Sequence, residues 1–209
     1  MNQQETWNAI AEQWFHFRQR PFRDLDIILE NSAESWKKGK ILDIGCGNAR
    51  NLLVFANHGF ECFGMDFSGE MLKRAEEFAK KKVFNVKLIK AWAEKLPYED
   101  NFFDCALSIA VLHHLNKAEQ AEALNEMKRV LKNGGKAIIT VWNKFSPKFW
   151  KYLFKKEILI PWHIKGKIYQ RYYYMFNFFE LRSLLRKAGF KIIYSSPIFN
   201  KNLIFIVEK

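Results

Sequence analysis

The sequence lacks any apolar run near the roughly 20 residues that a bilayer-spanning helix requires, so no membrane association is expected. Residues Met1 to Arg20 lack the basic-then-apolar pattern of a secretory leader. Cysteine is scarce, and Cys46, Cys62 and Cys105 stand singly with no CxxC pair. Isolated thiols of odd number argue against a disulfide framework and against a zinc site, so no metal is expected and a reducing, cytoplasmic setting is. Repeats and low-complexity linkers are also missing. A chain of 209 residues without them fits one α/β domain, long enough to bury a core.

Acidic residues are in short supply, 22 against 34 Lys and Arg, for a formal net charge of +12. The imbalance is local. Between Lys144 and Phe176 stand Lys144, Lys148, Lys151, Lys155, Lys156, Lys165, Lys167 and Arg171, opposed only by Glu157. Aromatic residues are interleaved with them, including Phe145, Phe149, Trp150, Trp162, Tyr169, Tyr172 and Tyr173. Cations neutralise phosphates and aromatic faces stack on unpaired bases, a mixture suited to structured RNA. The same composition also describes a solvated basic face over an aromatic mini-core, or a membrane-surface patch.

Periodicity divides the chain. Trp7, Ile10, Ala11, Trp14 and Phe17 recur at helical spacing over 5–17, and a second helix is expected from Pro21 to near Ser32. Strands are expected at 40–44, 60–65, 86–90, 103–109 and 136–142, with helices at 51–58, 69–81 and 118–131 between them. A helix over 178–188 closing at Gly189 and strands at 191–194 and 203–207 complete the chain. This alternation predicts a mostly parallel sheet with helices on both faces. About eight residues join the last two strands, too few for a parallel crossover, so that pair must be antiparallel. The expected domain thus comprises N-terminal helices (1–38), a binding core (39–143), a basic aromatic insertion (144–176) and a C-terminal helix with two strands (177–209).

The turn Asp43-Ile-Gly45-Cys46-Gly47-Asn-Ala-Arg50 follows the first strand and opens a helix. Its glycines allow a sharp turn and close approach to a ligand, with helix N–H groups facing it. A dinucleotide fingerprint needs a small third residue where Arg50 stands, so the turn fits a nucleoside without pyrophosphate better than NAD. Asp43 is placed to orient the loop and a bound ammonium. Asp66, 21 residues beyond Gly45 and at the end of the second strand, is placed to accept both hydroxyls of a ribose. Its alternative role, capping the following helix, falls more naturally to Ser68.

These residues, with the Ala91–Pro97 turn, Phe102-Phe103-Asp104, Ser108–Leu115 and Leu131–Lys136, resemble the ordered motifs of class I S-adenosylmethionine-dependent methyltransferases. The resemblance covers about residues 39 to 142. It implies a Rossmann-like, seven-stranded, mostly parallel sheet with one antiparallel strand, and S-adenosyl-L-methionine as cofactor. It assigns cofactor binding to Asp43, Gly45, Cys46, Gly47, Asp66, Phe67, Trp92, Ala93 and Ala110. A narrower resemblance spans nearly the whole chain. Arg18-Gln-Arg20-Pro21-Phe22, Leu112-His113-His114, Val141-Trp142, Ile160-Pro161-Trp162 and Gln170-Arg171-Tyr172-Tyr173-Tyr174 are similar to the family that methylates 5-carboxymethyluridine at the tRNA wobble position.

Two departures stand out. The class carries an Asp before Ala93 to accept from the adenine amino group, and Trp92, whose indole only donates, stands there instead. Trp92 then either stacks on the adenine or turns outward. Ala49 replaces a common glycine, which is tolerable if its φ is negative.

The narrower resemblance implies methyl esterification of a carboxylate, which is ionised near neutral pH and needs no general base. The enzyme must instead supply in-line placement and hydrogen bonds. Arg18 is the first choice for holding the carboxylate and Arg171 the second, because a guanidinium fork matches that group. His113 or His114 is expected to bond the acceptor. Tyr172, Tyr173 and Trp142 are candidates to stack on a flipped-out uridine, with lid packing as the alternative, and Arg20 and Lys148 are candidate substrate contacts. The resemblance further implies tRNA as partner and a small zinc-binding activating subunit docked on the edge strand Val86–Lys90. Two other classes stay open: a small-molecule methyltransferase acting on a carboxylic acid or quinone precursor, and a non-catalytic RNA-binding relative.

Overall fold

Residues 2–209 are described by a computed structural model in which helices and strands alternate along the chain. Two helices, α1 (Gln3–Phe17) and α2 (Arg23–Ser35), precede β1 (Lys40–Ile44), α3 (Leu52–Asn57), β2 (Glu61–Asp66), α4 (Gly69–Lys82) and β3 (Lys87–Lys90). Then follow β4 (Phe103–Ile109), α5 (Lys117–Val130), β5 (Leu131–Trp142), β6 (Glu157–Ile164), β7 (Lys167–Tyr174), α6 (Phe178–Lys187), β8 (Lys191–Ser195) and β9 (Asn202–Glu208). Seven strands form one sheet in the order β3-β2-β1-β4-β5-β9-β8. β9 is its one reversed strand, antiparallel to both β5 and β8.

The pleat sends alternate residues to opposite faces, and each face carries its own core. Leu42, Phe63, Ala106 and Ile139 pack with Leu124 and Met127 of α5 and Leu181 and Leu185 of α6. Ile41, Cys62, Cys105 and Ile138 pack on the other face with Leu29 of α2, Phe55 of α3 and Ala75 of α4. The three cysteines are free, buried thiols. Parallel strands end together, so the loops after β1, β2, β3 and β4 gather along one sheet edge. That edge positions the site. Among the described residues no helix is long and apolar enough to cross a membrane.

Three expectations are corrected. Pro21 lies before α2, whose N-cap is Phe22, so the proline ends the preceding turn and is not helical. β5 begins at Leu131, directly after α5, and absorbs Asn133-Gly134-Gly135 with a register shift against β4. The third correction concerns the insertion, which holds a 3₁₀ turn (Pro147–Tyr152) and the hairpin β6–β7, registered Glu157↔Tyr174 to Ile164↔Lys167. Its two-residue turn places Lys165 and Gly166 at φ of 45° and 78°, the paired positive values of a tight hairpin.

Asn143 fastens the point where the chain leaves β5 for this hairpin. It is fully buried, and its side-chain amide donates to the carbonyls of Ile198 and Asn200 at 2.8 Å each. Its carbonyl oxygen accepts from Phe145 N–H at 3.1 Å. Replacement by alanine strands three polar groups, each costing on the order of 1 kcal/mol. Asn143→Ala is therefore expected to lower unfolding stability by about 2–4 kcal/mol in urea titration, and a loss under 1 kcal/mol would show that water satisfies these groups.

Candidate functional site

A cavity of about 980 Å³ opens where the loops after β1 to β4 meet α1 and the hairpin. Its wall includes Gly45, Cys46 and Gly47 from the first turn, Asp66 and Phe67 after β2, Trp92 to Glu94 after β3, and Ala110 and Val111 after β4. Gly45 and Gly47 have φ of 68° and 55°, where side chains are disfavoured. A Cβ on Gly45 would also lie 2.5 Å from the Val111 side chain. Arg18, Arg20, His113, His114, Trp142, Lys148, Arg171 and Tyr173 line the same cavity. Two candidates do not, namely Asp43 and Tyr172.

Asp43 sits behind the turn, fully buried, and accepts a weak bond from Asn51 Nδ2 at 3.5 Å while its Oδ1 is without a partner. Burial pushes its carboxyl up to about 7. Its place is under the loop, so the expected contact with a ligand ammonium is corrected. Asp66 does face the cavity. Its Oδ2 accepts from Gly47 N–H at 3.0 Å and its Oδ1 from Ser68 N–H at 2.9 Å. Each carboxylate oxygen keeps a lone pair for a further donor. Burial raises Asp66 to about 6 against the pull of these amide bonds. Ser68 caps α4 by accepting from Met71 N–H, as expected.

Ala49 has φ of 59°, contrary to the expected negative value, and so carries the strain of a left-handed alanine, about 1 kcal/mol. Trp92 lies on the cavity wall beside Phe67. It is half exposed, with its ring edge-on to Phe67 at 5.2 Å.

The opposite end of the cavity is cationic. Arg171 is buried, with its guanidinium over the rings of Trp162 and Tyr173 at 4.6 and 5.4 Å. Its Nε has no hydrogen-bond partner, and no carboxylate among the described residues pairs with it. Lys148 lies 4.0 Å from the centroid of Trp142 and is likewise unpaired among the described residues. Burial holds both cations below their ordinary pKa, helped by repulsion from Arg171 and Arg18 at Lys148 and from Arg18 at Arg171. Arg18 ends α1 with its side chain exposed at the rim, and its carbonyl accepts from Asn48 Nδ2 at 2.7 Å.

The two histidines differ in tautomer. Trp142 N–H donates to His113 Nδ1 at 3.2 Å, so the ring proton of neutral His113 resides on Nε2, which has no partner. Burial, His114, Arg171 and Lys148 together keep His113 neutral. His114 has the reverse arrangement, its Nδ1 donating to the Tyr172 carbonyl at 2.9 Å. Burial lowers its pKa to about 4. Tyr173 is 1% exposed and packs in a triangle of rings with His113 and Trp142, stacked on the latter at 4.5 Å, with the Arg171 guanidinium 5.4 Å away. Its faces are occupied by protein, so stacking on a base is corrected to packing. Tyr172 contributes its backbone through His114, and its hydroxyl is buried without a partner.

The periodicity of α1 concealed a second role for its tryptophans. Trp7 meets His114 edge-on at 4.9 Å, and Trp14 lies against Gly47 with Arg50 stacked over it at 4.9 Å. Both line the cavity, as do Arg50 of the glycine turn and Asn51 and Glu94, which were not named as site candidates.

A family model described as a methyltransferase domain matches residues 42–139. A protein of Encephalitozoon cuniculi bearing a methyltransferase name is 32% identical over 160 residues, covering 73% of this chain and 70% of the relative. The structure of an S-adenosylmethionine-dependent methyltransferase from Methanosarcina mazei is 25% identical, covers 87% of this chain and 96% of that one, and superposes with a TM-score of 0.74. The chain belongs to the class I S-adenosylmethionine-dependent methyltransferases. Within that class, a Schizosaccharomyces pombe protein named tRNA (carboxymethyluridine(34)-5-O)-methyltransferase is 28% identical over 214 residues, 90% of this chain and 88% of the relative. A Haloferax volcanii structure titled as a complex of the Trm112 methyltransferase activator with a methyltransferase is 16% identical, covers 99% of this chain and 97% of that one, and shares the fold at a TM-score of 0.76.

The cofactor of this methyltransferase is S-adenosylmethionine, and the wall fits it. The glycine turn leaves room for close approach, and Asp66 retains acceptor capacity for a ribose. Ribose hydroxyls donate more strongly to the ionised carboxylate than to the neutral carboxyl, so binding favours loss of any proton Asp66 holds. Affinity for S-adenosylhomocysteine is therefore expected to fall as pH drops from 7.5 through 6 to 5, and Asp66→Asn should flatten that dependence while weakening binding by about 1–3 kcal/mol. A calorimetric pH profile identical in the two proteins would remove Asp66 from the ribose site.

Proposed function

We propose that this methyltransferase esterifies the carboxylate of 5-carboxymethyluridine at the wobble position of tRNA. The buried, unpaired guanidinium of Arg171 carries the reading. Burying an ion without a counter-charge costs several kcal/mol, an expense that an anionic ligand at that point offsets. Arg171 therefore takes precedence over the exposed Arg18 as the group that holds the acceptor, with Lys148 beside it and Arg18 and Arg20 at the rim. The name of the fission-yeast relative, which acts on a carboxymethyl group of tRNA, supports the same acceptor.

Bound S-adenosylmethionine supplies a methyl group as a sulfonium electrophile. The residues at the cationic end orient and desolvate the acceptor. A carboxylate arrives ionised, so no proton has to be removed, and this matches a site whose two histidines are neutral and whose nearest ionised groups are cations. His113 Nε2–H is a donor by construction and offers its hydrogen to a carboxylate or uracil oxygen. The exposed lysines of the hairpin and of the turn before it, among them Lys151, Lys155, Lys165 and Lys167, extend the cationic field outward for tRNA phosphates. We assign the free side of β3, which pairs only with β2, to an activating subunit, as the Haloferax complex suggests by its composition.

Incubating the protein with labelled S-adenosylmethionine and carboxymethylated tRNA tests the reading, in the presence and absence of an activating subunit. Methyl ester at the wobble nucleoside, read by mass spectrometry, is the expected product; label confined to small carboxylic acids would replace tRNA with a small-molecule acceptor. Arg171→Ala should cut kcat/KM for tRNA by at least 100-fold, about 3 kcal/mol, with S-adenosylhomocysteine affinity within about threefold of wild type. Loss of cofactor binding in that variant would move Arg171 out of the acceptor site.

A further inference from the structure

Helix α6 starts beside the cavity and leads away from it. Just past the end of β5, Lys144 N–H donates to the Phe176 carbonyl at 2.7 Å, shortly before the helix begins at Phe178. The helix then runs back along the sheet to Gly189, after which β8 sets out in the direction of the parallel strands. Leu181 and Leu185 bury one face of it in the core shared with α5. Its other face carries Phe179, Arg182, Ser183, Arg186 and Lys187 around a shallow groove of about 400 Å³.

Among the described residues no carboxylate pairs with Arg182, Arg186 or Lys187. The acidic residue of α6, Glu180, is engaged by Lys156 at 3.0 Å and by the Tyr174 hydroxyl. A helix C-terminus favours Arg186 and Lys187 through its dipole, but that effect fades within one turn and does not account for Arg182. Arg182 and Arg186 stand four residues apart, neighbours of like sign that repel and weaken the helix. A polyanion removes that repulsion. Their offset along the axis, about 6 Å, is of the order of the step between successive phosphates on one nucleic-acid strand.

The patch continues the cationic segment at the cavity mouth. Lys148 lines the cavity, Lys151 and Lys155 follow it exposed, and Lys156 joins the segment to α6 through its bond to Glu180. A loop nucleotide seated in the cavity belongs to a stem that must lie against the outer surface. We infer that the basic face of α6 is a second RNA-contact surface, holding the ribose-phosphate backbone of the stem whose loop enters the cavity; this rests on tRNA as the partner proposed above. Paired RNA is held through phosphates and hydroxyls, with little reading of bases, and a face of two guanidinium groups, an ammonium and the Ser183 hydroxyl supplies that chemistry.

Fluorescence anisotropy with a labelled, unmodified tRNA transcript, and with the heptanucleotide of its anticodon loop alone, tests the surface. Arg182→Gln combined with Arg186→Gln should weaken transcript binding about 30-fold at about 0.1 M salt and reduce the salt slope of log K by about 2. Heptanucleotide and S-adenosylhomocysteine affinities should stay within about twofold of wild type, because the pair contacts neither ligand, and the thermal midpoint should hold. With carboxymethylated tRNA as substrate, KM should rise while kcat stays within about twofold. Lys80→Gln with Lys81→Gln removes the same charge from α4, on the opposite face of the sheet, and should weaken the transcript less than about threefold. Equal weakening by both pairs would reduce the effect to net charge and overturn the surface. Transcript affinity unaffected by the α6 pair overturns it too, whether or not binding to phosphatidylserine vesicles is lost, a loss that would give the face to a membrane. Esterified tRNA with that result leaves the acceptor intact, whereas tRNA bound through α6 but never esterified supports the surface and removes the acceptor.

Discussion

The carboxylate of Asp66 holds the cofactor cleft in shape. One oxygen takes the Gly47 amide from the turn after β1, and the other takes the Ser68 amide that begins α4. Two loops from neighbouring parallel strands are thus tied to a single buried group before any ligand arrives. The arrangement opposes burial with hydrogen bonding: the site raises the carboxyl toward neutrality while the amides favour its ionised form. A ribose donating to the remaining lone pairs adds to the second effect. Preorganisation of this kind lowers the ordering cost of binding.

The rest of the cavity is organised by separation of charge. Carboxylates face it from the β2 and β3 side, and unpaired cations face it from the hairpin side, with aromatic rings between. The neutral histidines stand near the middle of this gradient, where neighbouring guanidinium and ammonium groups keep protons off them.

Much of this was legible before coordinates. The glycine turn, Asp66 and the reversal at the C-terminus follow from spacing and loop length, because covalent geometry limits what eight residues can connect, while the seven-stranded sheet followed from the family resemblance. The hairpin β6–β7 escaped because its alternation is masked: outward positions include Leu159 and Ile168, which are apolar and exposed, so a period of two does not separate them from inward residues. Lys165-Gly166 was its one local sign. Burial was equally hidden. The identity of Tyr173 suggests a stacking platform, and only packing reveals that it is buried in a cluster with Trp142 and His113. Arg18 and Arg171 are indistinguishable as letters, and the difference between an exposed and a buried guanidinium reverses their order.

Helix α1 bridges the two ends of the cavity through its glutamines. Gln4 donates to the carbonyl of Phe67 beside the ribose acid, while Gln3 clasps β7 by donating to Gln170 and accepting from Tyr172. Gln13 accepts from Trp162 of β6. One rod is therefore pinned to both the cofactor wall and the β6–β7 hairpin. Any excursion that lifts it breaks contacts on both sides at once, so the free energies of filling the two halves are linked and reciprocal.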